Sequence, residues 1–167
     1  GWDLDAVGAT LRQTAPKLAY LIPDFQNPTG HLMTDAQREE YAAHLRRART
    51  IAVVDEAHQS LALDGQEMPR PFAAYSPEAI TIGSASKSFW GGLRLGWIRG
   101  PAPEVARIGR LKAAADLGNC AVSQALTVGL FDRIPAIAAE RRRRLAAGAD
   151  LLCGLLAAAV PEWRVRP

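Results

Sequence analysis

Lys87 stands in the run Gly83-Ser84-Ala85-Ser86-Lys87-Ser88-Phe89-Trp90-Gly91-Gly92-Leu93-Arg94, directly after the apolar stretch Ala79-Ile80-Thr81-Ile82. That stretch reads as a buried strand, which puts the lysine at a strand mouth among small residues. An ammonium in such a place has an anion to meet, or it serves as an amine nucleophile whose pKa is lowered by desolvation. Seven residues on, Arg94 adds a fixed cation whose planar fork suits a phosphate. Ser84 and Ser86 bring hydroxyls that can join it, and Gly91-Gly92 lets the backbone bend closely around a ligand. The combination predicts a lysine that forms a Schiff base with a phosphorylated aldehyde. The alternative is a Ser/Gly turn carrying a surface arginine.

Three more polar residues fall at similar places. Asp55 ends the apolar run Thr50-Ile51-Ala52-Val53-Val54, where a carboxylate needs a cationic or hydrogen-bonding partner. A pyridinium nitrogen would satisfy it and would sharpen the ring as an electron sink; otherwise Asp55 caps a loop. His58, three residues on, is read either as a hydrogen-bond or proton-shuttle group near neutral pH or as a loop histidine facing water. Asn27, in Asn27-Pro28-Thr29-Gly30, belongs to an ordinary turn or donates its amide to a phenolate-like oxygen. Glu56 is read as structural or solvent-facing.

These residues need elements to position them. Hydrophobic spacing predicts a short helix from Asp3 to Arg12 with Leu4, Val7 and Leu11 on one face, then a buried strand from Lys17 to Pro23. Thr34-Asp35-Ala36-Gln37 fits a capping box opening a helix to about Arg49, with Tyr41 and Leu45 on its apolar side. Strands follow at Thr50–Asp55, Ala79–Gly83 and Leu95–Arg99. Helices are predicted at Pro103–Asp116, Ala121–Phe131 and Ala136 to about Ala159, with another strand beginning within Glu162–Val165. Strand, helix, strand, long connection, strand is the grammar of an α/β domain with a largely parallel sheet. In such sheets ligands gather at the carboxyl ends of the strands, where Asn27, Asp55 and Lys87 all fall. Trp90 and Trp97 are expected to be packing residues.

At 167 residues the chain can bury one sizeable core, and 49% hydrophobic with 22% charged residues is an ordinary globular balance. The net charge of +3 is mild and spread out apart from Arg141-Arg142-Arg143-Arg144. That run lies inside a predicted helix, so its charges point around the axis as a solvated segment and weakly support contact with nucleic acid. Cys120 and Cys153 lie far apart and match no metal spacing, which fits free thiols in a reducing cytoplasm. His31 and His44 are isolated. The longest apolar run, Leu151 to Val160, falls well short of the roughly 20 residues a spanning helix needs. Beginning at Gly1 and stopping at Pro167, the chain is expected to be a piece of a longer protein.

Asn27-Pro28-Thr29-Gly30, Asp55-Glu56-Ala57-His58, Ser84-Ala85-Ser86-Lys87 and Gly92-Leu93-Arg94-Leu95-Gly96 come in the order and approximate spacing of aspartate-aminotransferase-fold enzymes. Those enzymes use pyridoxal 5'-phosphate (PLP). The resemblance covers about residues 17 to 130. The phrases Pro23-Asp24-Phe25-Gln26-Asn27-Pro28-Thr29-Gly30-His31 and Gly83 to Gly92 look closer to MocR-type regulators of the GntR family. These fuse a winged helix-turn-helix DNA-binding domain to an aminotransferase-like domain.

The resemblance implies an α/β fold, part of the large domain of fold type I PLP-dependent transferases, with a mostly parallel sheet and flanking helices. Residues 1–135 would be the C-terminal half of that domain and 136–167 a long helix leading to a small domain. It implies that Lys87 forms the Schiff base, that Asp55 pairs with the pyridine nitrogen and that Asn27 contacts the ring oxygen. Ser84 and Arg94 would hold the phosphate, with Ser86 an additional candidate. His58 stands where many aminotransferases have a tyrosine, which puts ordinary transaminase tuning in question. The glycine-rich phosphate loop, the stacking aromatic and the substrate-carboxylate arginine of complete members are not among these residues. The implied parent is a dimer that takes an amino acid or amine and meets DNA only through a domain outside this chain. Two functions follow: a regulator sensing PLP or an amino-acid adduct, or a working aminotransferase. A cofactor-free structural domain is the third.

Overall fold

The computed structural model describes residues 1–63 and 67–165. Asp3 starts the first helix, α1 (Leu4–Thr14), by accepting the Ala6 N–H at 2.9 Å and so satisfying one of the unpaired donors of its first turn. Thr34 starts α2 (Asp35–Ala48) with the expected capping box. Its hydroxyl accepts the Gln37 N–H at 3.3 Å, while the Gln37 side chain accepts the Thr34 N–H at 2.9 Å. The apolar faces of the two helices meet, burying Leu4, Leu11, Tyr41, Ala42 and Leu45.

Four strands form one sheet: β1 (Leu18–Leu21), β2 (Ile51–Asp55), β3 (Ile80–Ser84) and β4 (Gly96–Arg99), in the order β1-β2-β3-β4. The first two junctions are parallel and the third is antiparallel. The reversal at β4 follows from length. A parallel crossover needs a dozen or more residues, and the 85–95 connection spends its chain on a single-turn helix, α3 (Ala85–Ser88), and a 3-10 turn, Gly91–Leu93.

Because side chains alternate along a strand, the two faces of this sheet differ. Leu21, Ala52 and Val54 point into the core with Phe72 and the α1–α2 pair. The other face carries Leu18 and Tyr20, 58% and 60% exposed, and half-buried Val53, Asp55, Ile80 and Ile82. Parallel sheets in α/β proteins are covered on both faces. Among the described residues, helices cover one.

Three helices complete the chain: α4 (Ala102–Asp116), α5 (Ala121–Phe131) and α6 (Ile134–Ala159). A second apolar cluster joins Ala85, Phe89 and Leu93 to Leu95, Leu130, Ile134 and Ile137, and so seats α3 on the ends of α5 and α6. Trp97 packs edge-on against Phe131 across this region. Its indole lies where a Cβ on Gly83 would stand, 2.1–2.4 Å from that position, so only glycine permits this crossing of β3 and β4. Trp90 is 64% exposed, against the packing role expected of it, because the buried side of its segment is taken by Phe89 and Leu93. The strand expected to begin within Glu162–Val165 is also absent from the described residues. The chain turns there after α6 and has no strand beside it with which to pair.

Candidate functional site

Parallel β1, β2 and β3 end at one edge, and the chain carries its polar residues there. Asn27 lies in the loop after β1, Asp55 is the last residue of β2 and Ser84 the last of β3. Ser86 and Lys87 follow in α3, and Arg94 follows the 3-10 turn. Asp55 is in register with Ile82, two residues before Ser84, and the Glu56 N–H donates to the Ile82 carbonyl at 2.9 Å. The loop carrying His58 is tied to the lysine helix by Ser60 and Ser88, whose hydroxyl oxygens are 3.1 Å apart.

The Asn27 loop is held from both ends. Gln26 closes the turn: its amide donates to the Asn27 carbonyl at 2.6 Å, and its side-chain oxygen accepts the Thr29 N–H at 3.1 Å. Gly30, at φ 72°, takes the left-handed conformation that the turn requires. At its base, fully buried Arg38 donates to Asp24 at 2.6 Å, to the Met33 carbonyl at 2.9 Å and to the Arg70 carbonyl at 3.2 Å. The Asn27 side chain is left exposed and outside this bonding.

Asp55 has donors on both carboxylate oxygens. The Ala57 N–H reaches Oδ1 at 2.9 Å and the Tyr20 hydroxyl reaches Oδ2 at 2.7 Å. That hydrogen bond makes loss of the phenol proton costly, and the Tyr20 pKa is pushed up to about 12. No sequence pattern marks Tyr20, because only the pairing of β1 with β2 brings it to Asp55. Glu56 turns to the covered side, accepts the Phe72 N–H at 3.1 Å and has its pKa raised chiefly by burial. Of the two readings of Glu56, structural or solvent-facing, the structural one holds.

Lys87 is exposed, because Ala85 and Phe89 take the inward side of its short helix. Among the described residues no hydrogen bond or ion pair joins Lys87 to Asn27, Asp55, His58, Ser84, Ser86 or Arg94. The fold brings these groups to one edge and leaves them unbonded to each other. Arg94 is also exposed, and it holds a left-handed backbone (φ 48°, ψ 40°) that is uncommon and strained for a side chain with a Cβ. Ser84 makes no capping bond to α3. The Nδ1 of His58 is buried without a partner.

These features fit a phosphorylated aldehyde with a basic ring. There is a free amine for the carbonyl, a free guanidinium and hydroxyl for the phosphate, a fixed carboxylate for a ring nitrogen, and an unpaired imidazole nitrogen. Among the described residues, no group of three or more His, Cys, Asp or Glu is gathered so as to hold a metal ion. Cys120 and Cys153 are free thiols. No helix of the described residues is long and apolar enough to cross a membrane.

The fold is that of a known group of proteins. The chain belongs to the class I and II aminotransferase family, whose model matches residues 1–167. It is 32% identical over 120 residues to the HTH-type transcriptional regulator YisV of Bacillus subtilis, covering 71% of this chain and 25% of that protein. It is 31% identical over 150 residues to 2-aminoadipate transaminase of Thermus thermophilus, covering 87% of this chain and 38% of that enzyme. In structure it matches LysN, the α-aminoadipate aminotransferase of Thermus thermophilus complexed with N-(5'-phosphopyridoxyl)-L-leucine, with a TM-score of 0.91 and 27% identity. That match covers 100% of this chain and 45% of LysN. The architecture is therefore part of the fold type I PLP-dependent transferase fold, and the chain spans between a quarter and a half of the length of these three proteins.

Proposed function

We propose that this chain is the PLP-binding part of a MocR-type transcriptional regulator, whose aminotransferase-like domain senses PLP or an amino-acid adduct of it. The observation that carries the reading is the convergence of Asn27, Asp55 and the Ser84–Lys87 run at the carboxyl ends of three adjacent parallel strands. The likeness to YisV, and to a second Bacillus subtilis HTH-type regulator at 34% identity over 116 residues, supports a regulator. The likeness to 2-aminoadipate transaminase favours a second reading, an aminotransferase passing an amino group from an amino acid to a 2-oxo acid.

Either way the residues take the same parts. Lys87 Nζ is the attaching amine and afterwards the group that holds and moves a proton. Asp55 keeps a proton on the ring nitrogen, and Asn27 and His58 donate to the ring oxygen. Ser84, Ser86 and Arg94 hold the phosphate, which the guanidinium suits by its fork of donors. The bound cofactor supplies an electron sink, and these residues fix where it acts. Residues 1–135 form the later half of the large domain in this reading, and 136–167 lead toward a small domain. The full-length protein is a cytoplasmic homodimer that takes an amino acid or amine and meets DNA through a winged-helix domain outside this chain.

The test is a PLP titration of the full-length protein, wild type beside Lys87→Ala. A visible absorption band that borohydride bleaches, with the cofactor's mass then found on the Lys87 peptide and not in the variant, is the expected result. Absence of the band in wild type overturns the reading. Amino-acid-dependent change in operator binding without product formation marks the regulator, and 2-oxo acid turnover without DNA binding marks the enzyme.

A further inference from the structure

We propose that Tyr20 is a positioning residue for Asp55, fixing its carboxylate toward the ring nitrogen of the cofactor; this rests on the PLP reading above. Tyr20 is in register with Val53, and Asp55 lies two residues further along the same face of β2. The tyrosine side chain thus runs diagonally across the β1–β2 pair and ends with its hydroxyl 2.7 Å from Oδ2. The Ala57 N–H holds Oδ1 at 2.9 Å, so the two donors together fix the carboxylate plane. A carboxylate has about four lone-pair sites, which leaves room for a further donor such as a protonated ring nitrogen.

Two features separate this role from packing. The contact to Asp55 is made by the hydroxyl, so Tyr20→Phe keeps the ring and its packing and removes the donor. Its acidity is suppressed until about pH 12, so it remains a donor throughout the range in which the protein works. Without it, Asp55 keeps one backbone contact and can turn about its side-chain bonds.

The experiment compares wild type and Tyr20→Phe in the full-length protein, with three readouts. PLP affinity should fall about tenfold, because a carboxylate free to turn holds the ring nitrogen less well. The pH at which the cofactor's absorption band changes should move, which a purely structural role would not cause. Thermal unfolding without cofactor should be unchanged. Without cofactor, too, Tyr20 should stay un-ionised near pH 10.5, where a free tyrosine is mostly ionised, and should titrate normally in Asp55→Asn. If wild type shows the band while Tyr20→Phe has the same affinity and pH profile, the proposal alone is overturned. If wild type shows no band, the PLP reading fails and the proposal falls with it.

Discussion

Arg38 and Asp24, both without solvent exposure, form an ion pair at 2.6 Å beneath the loop that carries Asn27. The guanidinium also closes onto the carbonyls of Met33 and Arg70, so one side chain joins the loop, the start of α2 and the 67–71 segment. Asp24 Oδ2 is buried and has no partner of its own, which makes the aspartate wholly dependent on Arg38. Removing one partner of such a pair strands a buried charge. Arg38→Ala should destabilise the full-length protein by about 3–5 kcal/mol, and Asp24→Asn by less, since the guanidinium it strands keeps the carbonyls of Met33 and Arg70 as acceptors. Chemical unfolding of the two variants checks the order.

Gly83→Ala should be costly for a different reason. The new methyl would fall 2.1–2.4 Å from the Trp97 indole, which is held in turn against Phe131. The indole must move, and overpacking of this kind costs about 1–3 kcal/mol. Near-ultraviolet circular dichroism should show the loss of the Trp97 environment at temperatures where the far-ultraviolet signal is still native.

Glu56 makes stability depend on pH in an identifiable direction. Its folded pKa lies above the ordinary 4.5, chiefly because burial penalises the charged form, so the folded state holds this proton more tightly than the unfolded chain. The contribution of Glu56 to stability is therefore greatest below 4.5 and declines as pH rises through the raised value. Glu56→Gln, whose side-chain oxygen can still accept the Phe72 N–H, should melt higher than wild type at neutral pH. The two melting temperatures should converge below the ordinary carboxylate range; a constant gap at every pH would show that charge is not the cause.

Arg94 allows stability and binding to be separated. A non-glycine residue in the left-handed region carries strain of about 1–2 kcal/mol, and glycine removes it while adding freedom to the unfolded chain. Arg94→Gly should therefore leave unfolding free energy within about 1 kcal/mol of wild type. PLP affinity should fall at least tenfold, the scale of a lost charge-assisted phosphate contact. Equal losses in both measurements would assign Arg94 to structure alone.

Much of this was legible in the chain because it is written in local signals. The Thr34–Gln37 capping box, the apolar runs of the four strands and the turn residues around Asn27 are each set by a few neighbouring residues, and each element formed where its pattern lies. Even the convergence of Asn27, Asp55 and Lys87 follows from local order once the strands are parallel, since a parallel sheet puts its carboxyl ends on one edge. Pairing across strands was not legible. Tyr20 meets Asp55 only because β1 lies beside β2 in a particular register, and no spacing along the chain encodes that neighbour. No local signal marks Arg38, which is buried because the Asn27 loop and residues 67–71 close over it. The reversal of β4, the exposure of Trp90 and the exposure of Lys87 have the same origin. Local pattern specifies the elements, whereas burial and partner choice are decided by which elements pack together.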